Sequence, residues 1–368
     1  MRGLREGLTR HRGFRPGILI LGLLAAVAGC SGSAPGSAPA NGARWLQLQS
    51  GSFQPVTDPA SAAPVARQPW TVQSRVADMA FLGDTLFCAV NGSGLAAMGK
   101  DAAGALQFSY HADPVIFGHR TITALVPRQG TLAVHLYFNA LLNDVRQEDL
   151  PISGVSLVSY VPRQTDYAFL IPPFQRKNPD WEAVGFAAES ENSFDFEWKY
   201  TDASETRFAY TRYHADTAAE EPADRPTFLA ALGVPAIEGP AVPSILAAFF
   251  STCLAEMQSL PPGASIQFSL RSRESPVRRN YRSRSESESA IAVPLFEEQG
   301  RLLALLPDGR VLVAEPASPP HARALPRLPK GFSYTDFVKW GSSLVVTWEE
   351  TTFTDVGKAG ILVYPLAP

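Results

Sequence analysis

Two short runs place the residue types of acid–base and metal chemistry side by side. Tyr110-His111-Ala112-Asp113 recurs as Tyr213-His214-Ala215-Asp216, 103 residues further along. A histidine beside a carboxylate can ligate a metal, or act as a base whose tautomer the carboxylate fixes. The two copies fall at strand ends of different rank, so nothing in the spacing makes them converge. Turn-capping by the aspartates and stacking by the tyrosines account for them equally well. A second concentration of chemistry is cationic: Arg271, Arg273, Arg278, Arg279, Arg282 and Arg284 lie within 14 residues, with Tyr281 among them. Guanidinium groups bind phosphate and carboxylate in a bidentate way, so the cluster is a candidate site for lipid headgroups or an acidic partner. The alternative is a solvated hairpin whose arginines pair with Glu274, Glu286 and Glu288. The chain contains no Gly-x-Ser-x-Gly elbow, no Cys-x-x-Cys pair and no glycine-rich phosphate loop. Glu349 and Glu350 are strand neighbours that point to opposite faces and cannot work as a glycosidase pair. No catalytic residue, metal site or cofactor is therefore expected.

The first of the three cysteines is Cys30. Five arginines (Arg2, Arg5, Arg10, Arg12, Arg15) precede an apolar run from Gly17 to Gly29. Thirteen residues is short of the ~20 that a spanning helix needs. A basic head, a short apolar middle and a small-residue end make a secretion signal over 1–29. Val27-Ala28-Gly29-Cys30 resembles the bacterial lipobox. That resemblance implies acylation at Cys30, palmitate included, with Cys30 as the mature N-terminus and a tether to the membrane. Ser31 follows. By the sorting rule of enterobacterial lipoproteins it implies the outer membrane rather than the inner. Residues 31–43 (SGSAPGSAPANGA) cannot bury enough apolar surface to order themselves and read as a flexible linker reaching about 20 Å.

Removing 1–29 takes away five arginines and one glutamate, so the formal charge moves from -3 to -7. An acidic chain is a poor nucleic-acid binder. Partners are expected to be the membrane and other envelope proteins. Cys88 and Cys253 sit in apolar runs, where a free thiol behaves as a small hydrophobe; a disulfide between them is the alternative.

The elements that must carry any site repeat. Four segments share an alternating apolar strand, a glycine turn and a second strand opening on leucine. They run from Val76 through Gly83 to Val90, from Ile122 through Gly130 to Val134, from Ile291 through Gly300 to Leu305, and from Tyr334 through Gly341 to Val346. The leading leucines Leu86 and Leu132 are 46 residues apart, and Leu302 and Leu344 are 42 apart. Trp181–Phe186 followed by Phe194–Trp198 is a weaker member. A period of 40–50 residues with several strands per unit resembles β-propellers. The resemblance implies an all-β fold over 44–368 with six blades, seven being the alternative count, and a pair of β-sandwiches as the competing fold. The last unit has three strands, and the orphan strand Trp45–Gln49 would complete it and close the ring.

Residues 216–289 break the pattern. Ile245, Leu246, Phe249, Phe250, Cys253, Leu254 and Met257 fall on one helical face, with Ser244 as cap and Pro261-Pro262 as stop. A shorter helix is expected from Pro226 to Leu232. The long helix packs on a blade edge or, in the sharper reading, offers Phe249, Phe250, Leu254 and Met257 to a partner. The arrangement is similar to the propeller lipoprotein of the outer-membrane barrel-assembly machinery. That similarity implies a tethered protein-binding scaffold. An envelope enzyme or carbohydrate-binding protein with a pocket at the propeller axis is the alternative.

Overall fold

The computed structural model describes residues 42–49, 52–66, 75–90, 94–102, 106–112, 121–128, 130–139, 153–160, 167–170, 172–188, 190, 192–224, 244–257, 265–273, 279–282, 290–316, 318–352 and 356–366. The signal expected over 1–29, Cys30, most of the expected linker and the helix expected over 226–232 lie outside these residues. What is described is mostly β, with few helices.

The strands are β1 (Arg44–Gln49), β2 (Ser52–Val56), β3 (Val65–Ala66), β4 (Val76–Leu82), β5 (Thr85–Val90), β6 (Gly94–Lys100) and β7 (Leu106–Ala112). They continue as β8 (Thr121–Arg128), β9 (Thr131–Asn139), β10 (Ser153–Tyr160), β11 (Tyr167–Leu170), β12 (Glu182–Ala188), β13 (Ser193–Thr201), β14 (Thr206–His214) and β15 (Ala219–Ala223). After a helix come β16 (Ser265–Ser272), β17 (Arg279–Arg282), β18 (Ala290–Glu298), β19 (Arg301–Leu305), β20 (Arg310–Glu315) and β21 (Ser318–Ala324). The chain ends with β22 (Phe332–Trp340), β23 (Ser343–Glu350), β24 (Val356–Gly357) and β25 (Ala359–Pro365). Among the described residues the α-helices are α1 (Pro173–Lys177) and α2 (Ser244–Glu256), and Pro59–Ser61 form a 3-10 turn.

Three sheets are four-stranded and antiparallel in chain order: β4 to β7, β8 to β11 and β12 to β15. A fourth has the order β17-β16-β18-β19-β20-β21, and a fifth the order β2-β1-β25-β23-β22. β3 and β24 form a separate two-stranded ladder. The orphan N-terminal strand thus pairs with the last strand: β1 lies antiparallel to β25, with Arg44 opposite Val363 and Gln47 opposite Gly360. β2 extends that sheet beyond the four strands expected. β15, inside the stretch expected to break the pattern, is the regular fourth strand of its sheet.

The repeated glycines have a common cause. Gly83, Gly130, Gly300 and Gly341 each turn a tight hairpin at φ between 58 and 73°, where a side chain would be strained. The first strand of three of these hairpins carries a bulge, between Val76 and Asp78, Ile122 and Ala124, and Tyr334 and Asp336. A bulge twists the strand and re-aims the residues beside it.

Apolar side chains from neighbouring sheets meet in shared layers. Leu86, Cys88 and Met98 pack with Val345, Trp348 and Ile361. Phe87, Leu95 and Ala97 pack with Ile122, Leu132 and Val134. Val126 and Ala133 meet Phe194, Phe196 and Trp198. Each fully buried side chain of this size contributes about 1.5–3 kcal/mol.

α2 lies on the sheet of β16 to β21. Leu246, Phe249, Phe250, Cys253 and Met257 pack on Phe268, Val293, Leu295 and Leu302, and Phe250 stacks on Phe268 with ring centroids 4.6 Å apart. Arg310 fastens its C-terminus, donating to the Glu256 carboxylate at 2.7 Å and to the Glu256 carbonyl at 2.9 Å, where a cation also suits the helix dipole. Ile245, counted on the apolar face in sequence, is instead 56% exposed. Cys88 and Cys253 are both free and fully buried. Burial pushes each thiol up to about 12.

Candidate functional site

Two of the strands that open hairpins, β4 and β22, carry an aspartate at the same place. Asp78 and Asp336 each stand just after the bulge, five residues before the turn glycine. A carboxylate is seldom buried unless it is paired. Asp78 is 1% exposed, and both its oxygens are engaged. Oδ1 accepts from its neighbour's amide, Met79 N, at 2.7 Å; Oδ2 accepts from Leu125 N of β8 at 2.8 Å. Asp336 repeats the first of these contacts, accepting from Phe337 N at 2.8 Å. Its second oxygen pairs with Arg271 of β16.

Arg271 joins the two aspartates. Its guanidinium stands 3.3 Å from Asp78 Oδ1, donates to the Met79 carbonyl at 2.9 Å and pairs with Asp336. With Leu125 included, strands of four sheets meet at this cluster. β16 reaches it because it lies parallel to β18, on the side of that strand away from β19. Two residues on, Arg273 covers the Phe81 ring at 3.9 Å. Phe81 meets Trp340 edge-on at 5.3 Å, and Lys100 lies over Trp340 at 5.3 Å. Lys339 pairs with Glu298, joining β22 to β18. These are charge-assisted bonds in a dehydrated setting, where losing one partner costs more than the pair contributes net.

The arginine cluster expected from sequence is thus divided. Arg271 turns inward and pairs with Asp78 and Asp336, and the flanking glutamates lie outside the described residues. Arg273 is spent on Phe81. Arg279 and Arg282 stand at the two ends of β17, and Arg278 and Arg284 lie outside the described residues. The helix face proposed for docking is also corrected. Phe249, Phe250 and Met257 are buried against the chain's own sheet, with Leu254 partly so, because a sheet face supplies the nearest apolar surface.

Of the two His-x-Asp runs, the second has local uses. His214 Nε2 lies 3.4 Å from Glu221 on the adjacent strand, and Asp216 accepts from Thr217 N at 3.0 Å in the turn. The first ends β7; His111 has no described side chain, and Asp113 lies outside the described residues. A histidine not singled out in sequence, His135 of β9, is buried against Phe196, and desolvation lowers it to about 3. Cys30 lies outside the described residues.

The geometry defines a protein of largely antiparallel sheets, four of which meet at the Asp78–Arg271–Asp336 cluster. The chain belongs to the "Family of unknown function (DUF8086)", whose profile matches residues 37–367. No curated protein matches it. Among solved structures it is similar to the polysaccharide lyase Uly1 at 10% identity and a TM-score of 0.24, over 78% of this chain and 55% of the lyase. It is similar to Saccharomyces cerevisiae Sqt1 at 11% identity and a TM-score of 0.33, over 78% of this chain and 83% of Sqt1. It is similar to BamB from Moraxella catarrhalis at 8% identity and a TM-score of 0.26, over 82% of this chain and 98% of BamB. Likenesses at these scores transfer no function.

Proposed function

We propose that the chain is a lipid-anchored envelope lipoprotein, acylated on Cys30, whose β domain binds other envelope proteins as a scaffold. The observation that carries it is the run Val27-Ala28-Gly29-Cys30 at the end of a basic and then apolar leader, followed by 13 small residues before the first strand. Ser31 favours the outer membrane.

On this reading the domain is a propeller. Its blades are β4–β7, β8–β11, β12–β15, β18–β21 and the sheet of β22, β23, β25 and β1; α2 with β16 and β17 stands for an irregular sixth, and the β1–β25 pair closes the ring. A scaffold is favoured over an enzyme because the charged groups gathered at the inner strands hold one another: Asp78, Asp336 and Arg271 in one cluster, Lys339 and Glu298 in another pair. A propeller axis lined in this way has β16 packed against its inner edge, which leaves less support for an axial pocket.

Metabolic labelling with a palmitate analogue tests the anchor. The full chain takes up label and floats with membranes, and Cys30→Ala loses both. Label retained by Cys30→Ala would sink the lipoprotein reading. In-membrane cross-linking from surface positions of the intact protein tests the scaffold, which predicts discrete protein adducts; a chain that cross-links only to itself overturns it.

A further inference from the structure

The strand that leads out of the domain toward Cys30 leaves from a definite end of the sheets. Gly42 is exposed and lies beside Pro365, and Arg44 stands opposite Val363. Leu366 N donates to Ser342 O at 2.7 Å, so the Gly341-Ser342 turn is at the same end. Arg44 Nη2 donates to Leu106 O at 3.2 Å, which fixes this exit to the neighbouring sheet. The Arg273–Phe81–Trp340–Lys100 stack brings the Gly83 turn and the end of β6 to that end too, and the Lys339–Glu298 pair brings the Gly300 turn. Its outermost residues include Asp84, Lys100, Gln299 and Ser342, all exposed.

We infer that this end, carrying the Gly83, Gly300 and Gly341 turns, faces the phospholipid surface. The inference rests on the lipid anchor proposed above. A linker with the composition of residues 31–43 has a root-mean-square reach of about 20 Å. β22 runs nine residues from Phe332 to Trp340, which is about 30 Å at ~3.3 Å per residue. Turning the far end to the lipid would stretch the linker along the whole strand, an arrangement roughly tenfold less populated for a flexible chain. Charge does not set the orientation, because Arg44 and Lys100 are offset by Asp84 and Asp101 at the same end.

The test uses the full acylated chain in phosphatidylcholine vesicles containing a headgroup energy-transfer acceptor. A fluorophore is attached at Ser342→Cys or at Lys330→Cys, exposed positions beyond opposite ends of β22. Cys88 and Cys253 are fully buried and do not compete for the label. Transfer from position 342 is expected to be at least twofold greater than from 330, and the ratio holds at 0.5 M salt, where the screening length is only a few ångströms (about 3 Å at 1 M). Equal or reversed transfer in vesicle-bound protein overturns the orientation alone. A ratio that collapses in salt overturns its origin in the tether. Protein that does not float with the vesicles overturns the lipid anchor and this inference together.

Discussion

Asp78 and Asp336 occupy the same place in two repeats and do different work. Both follow a bulge, both stand five residues before a positive-φ glycine, and both accept from the next residue's amide. Asp78 spends its second oxygen on Leu125 N, a backbone amide of the next sheet. Asp336 has its second oxygen on Arg271, which comes from β16 in the irregular segment. Where one repeat follows directly on another, the neighbouring backbone supplies a donor in place. At Asp336 a long side chain from β16 reaches across instead, and its planar fork serves both carboxylates at once. The repeat supplies the carboxylate, and the neighbour decides what it binds.

The comparison is broken most severely at Asp78. Asp78→Ala strands two backbone amides and one arm of Arg271 in a dry site, and the expected loss is about 3–5 kcal/mol in urea unfolding. A loss below ~1 kcal/mol would mean that water enters and the amide contacts are dispensable. Arg271→Met and Asp336→Ala are expected to cost about 1–3 kcal/mol each, because both aspartates are less dependent on the arginine than on their amides. The double variant should recover roughly 1–2 kcal/mol of their sum; strict additivity would show that the pair is not coupled.

A smaller effect separates this polar cluster from the buried imidazole one sheet away. His135 ordinarily titrates near 6.5 and is lowered to about 3 in the fold, so the folded state holds it neutral. A depressed base contributes stability that is complete above about 6.5 and declines as pH falls toward 3. The slope approaches about 1.4 kcal/mol per pH unit, giving on the order of 1 kcal/mol by pH 5.5. His135→Phe should flatten this limb between pH 6.5 and 5.5 while leaving the cost of Asp78→Ala unchanged. An unaltered limb would place the acid sensitivity elsewhere.

Much of the architecture was legible because its causes are local. The alternation in Val76–Leu82 and Tyr334–Val338 marks a half-buried strand, and each glycine that follows is required by the turn's positive φ. The helix over Ser244–Glu256 was visible from its apolar spacing, and the pairing of Trp45–Gln49 with the last strand from a count of strands. The face of that helix was legible as apolar, but not what would cover it. The polar cluster was missed as a site although one signal was present: an aspartate at the same place in two of the strands that open hairpins. Its meaning depended on partners 47, 193 and 65 residues away in sequence, at distances no local rule encodes. The arginine run misled because clustering in sequence fixes charge density and not direction; successive strand residues point to opposite faces, and the ladder with β18 decided that Arg271 turned inward.

The amino-acid sequence by itself determined the β character, the repeated hairpins, the glycine turns and the acidic balance of residues 30–368. Each follows from side-chain period, backbone sterics or composition, which act within a few residues. Only the tertiary structure decided that β16 lies parallel beside β18, that Arg271 bridges Asp78 and Asp336, and that α2 spends its phenylalanines on its own sheet. Those outcomes depend on which surfaces meet when the strands assemble, because a buried charge must find a partner and an apolar face must find cover wherever the fold places them.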